Sequence, residues 1–178
     1  MTVRVGEPAP AFTLQAYRRC EKVSVTVTLE DFRGDWLLVF FYPADFTFVC
    51  PTELQALAAL EEHFHAAGAA ILAASTDSWF SHRAWFETDP RLTRVRYPIV
   101  ADQSHELSSL FGVLQDDGTA LRGSFLIDPD GMVRHASVTD SSVGRAAAEL
   151  LRLLHALQTA ELCPVDWQPG EPTLGIAA

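Results

Sequence analysis

An apolar run of strand length leads into a short loop, and the loop ends at a cysteine that opens a helical pattern. Residues 36–42 combine aromatic and aliphatic side chains as a buried strand does, and apolar residues recur at helical spacing over 52–66. This order predicts a strand, a loop, Cys50 and a helix. Unpaired backbone N–H groups and partial positive charge at a helix N-terminus favour a thiolate over a thiol. Cys50 is therefore a candidate nucleophile.

Three neighbours bear on whether Cys50 is reactive. Thr47 lies three residues before the cysteine, so its hydroxyl can point into the same first turn as a donor or an acceptor. Pro43 can wall a pocket without offering a competing N–H donor, and Pro51 suits the first helical position. A lone cysteine at an element boundary is more often a buried, unreactive side chain. The threonine and the prolines at these spacings favour the reactive interpretation.

Strand and helix patterns alternate along the rest of the chain. The predicted strands cover residues 23–29, 36–42, 69–74, 99–100, 124–128 and 133–138, and the predicted helices cover 52–66, 78–87, 105–111 and 143–160. This succession predicts an α/β protein with a central mixed β-sheet flanked by helices. It is compatible with a thioredoxin-like fold, although the pattern alone leaves other open α/β sheets available.

The periodic pattern ends after residue 160. Residues 163–172 lose helical periodicity and gain proline. A chain of 178 residues has the length of one domain with a sizeable core. We therefore expect one folded domain over 1–160 and an extended C-terminal tail over 161–178.

Composition and charge exclude several kinds of partner. The formal net charge of −10 disfavours nucleic acids and anionic membranes, because both are polyanions. No apolar stretch approaches the ~20 residues that span a bilayer, and the first residues lack the apolar centre of a signal peptide. We therefore expect a cytoplasmic protein.

The cysteines and histidines indicate thiol reactivity rather than a disulfide scaffold or a metal site. Cys20, Cys50 and Cys163 form neither a dense, even set nor a Cys-x-x-Cys dithiol. His63 and His65 face different directions on a predicted helix, so they cannot converge on one metal ion. We expect both histidines to lie on the surface.

The residues around Cys50 resemble a known family. Pro43, Thr47 and Cys50 follow the pattern Pro-x-x-x-Thr-x-x-Cys, which resembles the active-site signature of peroxiredoxins. The whole segment 41–53 resembles the typical two-cysteine type, in its bacterial alkyl hydroperoxide reductase C branch. The similarity extends through segments 75–85, 122–128 and 163–167, and it therefore covers nearly the whole chain.

The resemblance assigns catalytic roles to five residues. Heterolysis of a peroxide O–O bond requires a soft nucleophile and donors that stabilise charge on the departing oxygen, and a guanidinium suits the second task. By the resemblance, Cys50 is the peroxidatic cysteine that becomes a sulfenic acid, and Cys163 is the resolving cysteine of an intersubunit disulfide. Thr47 and Arg122 orient the substrate, and Pro43 belongs to the same catalytic motif.

The resemblance also implies partners and supporting residues. Glu53 and Arg145 match the family's supporting ionic positions. The implied activity is the reduction of hydrogen peroxide and organic hydroperoxides on a thioredoxin-like fold, without a bound cofactor, because thiol chemistry suffices. The implied electron donor is a dithiol protein or a flavoprotein reductase, and the implied assembly is a homodimer that forms a decamer of five dimers.

Other interpretations remain open at this point. The chain is also compatible with a holdase chaperone assembly or with a thioredoxin-fold redox sensor. Trp85 could line the active-site pocket, but at helical spacing a tryptophan in the core is the more common case. Cys20 has no motif around it, so we expect it to be incidental.

Two departures from the family predict resistance to overoxidation. No Gly-Gly-Leu-Gly insertion occurs between Arg91 and Asp102, and no Tyr-Phe segment occurs in the final residues. We therefore expect Cys163 to reach the sulfenic acid before more peroxide drives Cys50 to irreversible sulfinic acid. Mass spectrometry after excess peroxide should find mainly the Cys50–Cys163 disulfide, and rapid sulfinic acid formation at Cys50 would contradict this expectation.

Overall fold

A mixed sheet of seven strands forms the centre of the molecule, and a computed structural model describes residues 3–176. The strands are β1 (Thr13–Arg18), β2 (Val23–Thr28), β3 (Trp36–Phe41), β4 (Ala69–Ser75), β5 (Ile99–Ala101), β6 (Arg122–Ile127) and β7 (Val133–Thr139). The α-helices are α1 (Cys50–Ala66), α2 (Trp79–Thr88), α3 (Glu106–Leu110) and α4 (Ala147–Gln158). The strand order is β2-β1-β5-β4-β3-β6-β7, with β3, β4 and β5 parallel and the other pairings antiparallel. The predicted α/β class is confirmed.

Alternate side chains of the central strand β3 enter two separate cores. Leu38 and Phe40 pack in the cluster that includes residues of α1, α2 and α4. Leu37 and Val39 pack in the second cluster, which includes Leu107 of α3. The period of two along the strand therefore places helices on both faces of the sheet.

Strand β1 is not predicted by the sequence pattern. Its residues Ala16 and Tyr17 are adjacent and both fully buried, so the alternation that marks a half-buried strand is broken. The segment is a strand because β2 and β5 pair with it on either side. Its structure is decided by tertiary pairing rather than by local pattern.

Two helices begin two or more residues away from their predicted starts. Helix α1 begins at Cys50 rather than at residue 52, and α4 begins at Ala147 rather than at residue 143. The later start of α4 has a specific cause, because the backbone N–H of Arg145 donates to Oε1 of Glu53 at 2.7 Å. The residues just before α4 are therefore bound to α1 instead of forming the first turn of α4.

None of the helices within residues 3–176 is both long and apolar enough to cross a membrane. The cytoplasmic location expected from the sequence stays a prediction.

Gly123 lets strand β6 approach the rest of the core closely. A Cβ at this position would lie 2.8 Å from Cγ1 of Val113 and 2.9 Å from Cε2 of Phe125. Both neighbours are buried in a close-packed cluster, so they have little room to move away. A side chain at position 123 would therefore strain the strand that carries Arg122.

We expect Gly123→Ala to lower the free energy of unfolding by about 1–3 kcal/mol, because overpacking forces neighbouring side chains away from their rotamers. Urea denaturation followed by circular dichroism measures this change. Gln55→Ala, at an exposed position of α1, is the control and should change the free energy by less than about 0.5 kcal/mol. Equal values for the two variants would contradict the expectation.

Candidate active site

Strand β3 and helix α1 place Cys50 at the end of the sheet. Strand β3 ends at Phe41, a loop over 42–49 follows, and Cys50 is the first residue of α1. Pro51 is thus the second helical residue, whereas the sequence had predicted it to be the first. Cys50 is 1% exposed. A molecule that reacts with its sulfur must therefore be small, or the surrounding residues must move.

Strand β6 lies beside β3 and brings Arg122 to the cysteine. Nη1 of Arg122 lies 3.4 Å from Sγ of Cys50, and Arg122 is 3% exposed. The Nε and Nη2 atoms of Arg122 donate to the carbonyl oxygen of Ser141 at 2.9 and 2.6 Å. That carbonyl holds one edge of the guanidinium, so that Nη1 is directed toward the sulfur.

Glu53 joins Arg122 to a second buried arginine. Oε2 of Glu53 accepts from Nη1 of Arg122 at 2.6 Å, and Oε1 accepts from Nε of Arg145 at 2.9 Å. Side-chain exposure is only 2–3% for the Glu53–Arg122 pair and 7% for Arg145. Two cations and one carboxylate therefore share a space that water scarcely reaches.

Arg145 also ties the cluster to the sheet. Its Nη1 donates to the carbonyl oxygen of Gly123 at 2.6 Å, and its Nη2 donates to that of Phe41 at 2.8 Å. The guanidinium carbon lies 3.4 Å from the centre of the Phe40 ring, which makes a cation–π contact. Burial lowers the pKa of Arg145, and the hydrogen bond with Glu53 opposes this shift.

Thr47 and Pro43 lie on the loop between β3 and α1, and both are half-buried. Oγ1 of Thr47 donates to the carbonyl oxygen of Ala44 at 2.8 Å. The sequence left open whether this hydroxyl is a donor or an acceptor. Because its hydrogen is directed to Ala44, its lone pairs remain available as acceptors.

The other two cysteines lie away from this cluster, and all three cysteines of the chain are free thiols. Cys163 is half-buried in the segment after α4, where its Sγ lies 3.7 Å from the carbonyl oxygen of Ala156 and 3.5 Å from Oγ1 of Thr159. Cys20 is exposed in the turn between β1 and β2.

The structure thus brings together four of the seven residues that the sequence predicted. The buried cluster consists of Cys50, Glu53, Arg122 and Arg145. Pro43 and Thr47 lie on the adjoining loop, and Cys163 lies outside the cluster.

A second buried network beside the loop escaped the sequence analysis. Tyr42, Asp45 and His82 are hydrogen-bonded to one another, and all three are buried. The available signal was a histidine among the aromatic residues of the predicted helix over 78–87.

Trp85, on the same helix as His82, is 1% exposed. This burial agrees with the interpretation of Trp85 as a core tryptophan. Its ring centre lies 6.0 Å from that of the loop residue Phe46.

Fold and site together define a class of protein. The mixed sheet has the architecture of a thioredoxin-like fold, and a cysteine at a helix start contacts a buried arginine. A nucleophilic sulfur beside a fixed cation suits a thiol-dependent enzyme of this fold.

Comparison with known proteins identifies the family. The model of the AhpC/TSA family matches residues 5–136, and the chain belongs to this family. A thioredoxin peroxidase from Echinococcus granulosus is 44% identical over an alignment of 181 positions that covers 97% of this chain and 93% of the relative. The chain is thus a peroxiredoxin, and its family does not favour the holdase and redox-sensor alternatives.

Solved structures agree with this assignment. The reduced 2-Cys peroxiredoxin of Plasmodium vivax superposes with a TM-score of 0.91 at 35% identity, covering 94% of this chain and 91% of that one. The AhpC of Mycobacterium tuberculosis superposes with a TM-score of 0.86 at 39% identity, covering 94% of this chain and 100% of that one. The thioredoxin-like fold expected from the sequence is therefore confirmed.

We expect Glu53→Gln to lower the free energy of unfolding by about 3–5 kcal/mol, because it leaves two buried guanidinium groups without their carboxylate. Urea denaturation measures the loss. Glu149→Gln is the matched control, since Glu149 pairs with Arg152 on the surface of α4 with 49% of its side chain exposed. This control should cost less than about 1 kcal/mol. Similar small losses in both variants would show that the buried cluster does not hold the site together.

Proposed function

We propose that this peroxiredoxin reduces hydrogen peroxide and organic hydroperoxides at Cys50. The thiolate attacks one peroxide oxygen, the O–O bond breaks, and the departing oxygen takes up a proton and leaves as water or an alcohol. Cys50 is oxidised to a sulfenic acid while the peroxide is reduced. The observation that carries this proposal is the 3.4 Å contact between Nη1 of Arg122 and Sγ of Cys50.

Arg122 supports the attack in two ways. Its cluster contains two guanidinium groups and one carboxylate, so a thiolate at Cys50 balances the remaining positive charge. Its permanent positive charge also stabilises the negative charge that develops on the departing oxygen. Glu53 and Arg145 support this arrangement by holding Arg122 in position.

Thr47 completes the proposed peroxide site. The hydrogen of its hydroxyl is directed to Ala44, so the oxygen is free to accept from the O–H of the peroxide. Arg122 donates and Thr47 accepts, and together they fix the direction of the O–O bond relative to the sulfur. Pro43, on the same loop, forms part of the wall without adding a competing donor.

In the second step the sulfenic acid condenses with the thiol of Cys163. An S–S bond forms, the S–O bond of the sulfenic acid breaks, and water leaves. Cys50 is in the first turn of α1 and is 1% exposed. Its sulfur must therefore leave that turn before a second sulfur can reach it, so the first turn of α1 unwinds in this step.

The positions of the two cysteines favour a disulfide between two copies of the chain. Nε2 of Gln158, at the end of α4, donates to the carbonyl oxygen of Ala67 at the C-terminal end of α1. Cys163 therefore lies near the end of α1 that is opposite to Cys50. A helix of 17 residues is roughly 25 Å long, and a second copy of the chain offers a resolving thiol without so large a rearrangement.

We propose that residues 161–178 act as a tail that carries the resolving cysteine, and that residues 1–160 are the peroxidase domain. Residues 159–176 contain neither a helix nor a strand. The tail is tied to α4, because Trp167 is 5% exposed and its carbonyl oxygen accepts from Nη1 of Arg152 at 3.0 Å. Such a segment can detach without disturbing the sheet.

We also propose that the protein forms homodimers that assemble into a decamer of five dimers. Three phenylalanines on and near the active-site loop support an association surface, since Phe46, Phe48 and Phe80 are 60%, 90% and 66% exposed. Strand β7 is an edge of the sheet and is free to pair with a second chain. The ring size rests on the family resemblance alone.

The proposed electron donor is a dithiol protein or a flavoprotein reductase that reduces the Cys50–Cys163 disulfide. The name of the Echinococcus granulosus relative, a thioredoxin peroxidase, supports a donor of the thioredoxin type. The exchange requires only an attacking thiolate and an accessible disulfide.

Peroxide consumption tests the first step. The reduced protein should consume hydrogen peroxide, and Cys50→Ser should abolish consumption because serine offers no soft nucleophile. Cys20→Ser is the matched control and should keep full activity, since Cys20 is exposed outside the site. Full activity in Cys50→Ser would refute the proposed function.

Non-reducing electrophoresis of the wild type, Cys50→Ser and Cys163→Ser tests the second step. After peroxide treatment the wild type should run as a covalent dimer, whereas Cys50→Ser and Cys163→Ser should both run as monomers. A dimer that survives in Cys163→Ser would assign the resolving role to another thiol.

A further inference from the structure

The loop that carries Thr47 has a backbone conformation that its own sequence does not favour. Phe46, which precedes Thr47, has a φ of +54°. This left-handed region is unfavourable for a bulky residue other than glycine, and such a conformation persists only where surrounding structure imposes it. Contacts outside the loop must therefore hold Thr47 in place.

Asp45 is the side chain by which the loop is held. It is 7% exposed, and its Oδ1 accepts from the hydroxyl of Tyr42 at 2.8 Å. Its Oδ2 lies 2.8 Å from Nδ1 of His82 on α2, and its backbone N–H donates to Oδ2 of Asp77 at 2.9 Å. The bonds to His82 and Asp77 tie the residue before Phe46 to parts of the fold outside the loop.

His82 joins this anchor to the sheet. The residue is fully buried, and its Nε2 lies 3.1 Å from the carbonyl oxygen of Val100 on β5. A carbonyl oxygen can only accept, and Asp45 already accepts from Tyr42. The ring is thus enclosed by acceptors on both sides. Both bonds of His82 form together only when each ring nitrogen carries a proton, or when Nδ1 accepts from a protonated Asp45.

We propose that His82 is a positioning residue for the peroxide site, acting through Asp45 on the loop that presents Thr47. The described contacts of His82 reach the loop and β5 rather than Cys50 or Arg122. This inference rests on the proposed function of the same site. It adds that the geometry of peroxide binding is set by the buried pair of His82 and Asp45.

Aromatic packing alone does not account for the loop. The rings of Phe46 and Trp85 lie 6.0 Å apart, yet Phe46 remains 60% exposed. Such a contact is non-directional, whereas the hydrogen bonds of Asp45 are directional and buried. The polar anchor therefore decides where Thr47 lies relative to the sulfur.

Two substitutions of His82 separate the link to the loop from the link to the sheet. In His82→Asn the amide nitrogen takes the place of Nδ1 and can still donate to Asp45. In His82→Gln the amide nitrogen takes the place of Nε2 and can donate to Val100 but not to Asp45. Each variant loses one buried hydrogen bond, so we expect similar losses of stability in urea denaturation.

The expected difference is in the reaction with peroxide. We expect His82→Gln to slow Cys50 oxidation by hydrogen peroxide by about tenfold or more, and His82→Asn by less than about threefold, because misplacement of an orienting group costs rate steeply. Stopped-flow tryptophan fluorescence measures the second-order rate constant. Alkylation of Cys50 by iodoacetamide, which needs the sulfur but not the peroxide-orienting hydroxyl, should proceed at the wild-type rate in both variants.

Two further variants complete the test. Tyr42→Phe removes one donor to Asp45 while leaving His82 in place, so it should slow the peroxide reaction by about threefold even if both His82 variants fail to fold. Ser108→Ala removes a buried hydroxyl that donates to Asp102 on the other face of the sheet, and it should leave the peroxide rate unchanged.

The inference is overturned if His82→Asn and His82→Gln slow the peroxide reaction equally, if iodoacetamide alkylation falls in parallel, or if Tyr42→Phe reacts at the wild-type rate. Failure of the proposed function itself would look different, because the wild type would then not consume peroxide, or Cys50→Ser would still do so.

Discussion

Glu53 lies between two guanidinium groups in a space that is almost closed to water, and the arrangement of the active site depends on that carboxylate. Without it, Arg122 and Arg145 would face each other as uncompensated buried cations. With it, Arg122 is held at the sulfur, and Arg145 connects α1 to the end of β3 through the carbonyl oxygen of Phe41. The same carboxylate delays the start of α4 by binding the backbone of Arg145.

The active site is held from two sides. On one side the ion cluster fixes the sulfur and its cation, and on the other the Tyr42–Asp45–His82 network fixes the loop that carries Thr47. The two sets of bonds involve different residues, although both connect the β3–α1 region to the sheet. A strained residue, Phe46, lies between them. In the proposed function, this arrangement combines a preorganised peroxide site with a helix start that opens for disulfide formation.

The residues of the proposed peroxide reaction and of the proposed disulfide formation differ in their exposure to solvent. Cys50 and Arg122 are almost completely buried, whereas Cys163 is half-buried in a segment without regular structure. In the proposed reaction, a sulfenic acid enclosed in this way at Cys50 is protected until the first turn of α1 opens. The proposed chemistry depends on a local excess of positive charge, from two arginines around one carboxylate, in a chain whose net charge is −10.

The sequence by itself determined the order of strands and helices around Cys50 and the family motif, because hydrophobic periodicity and helix-start chemistry are local. It indicated Arg122, Glu53 and Arg145 only through resemblance to a family, and it did not indicate β1 or the pairing of Asp45 with His82. These features join residues far apart in the chain; His82 lies 37 residues after Asp45, and Arg145 lies 92 residues after Glu53. Only the tertiary structure decided them, because the energy of a buried polar contact depends on which distant side chain completes it.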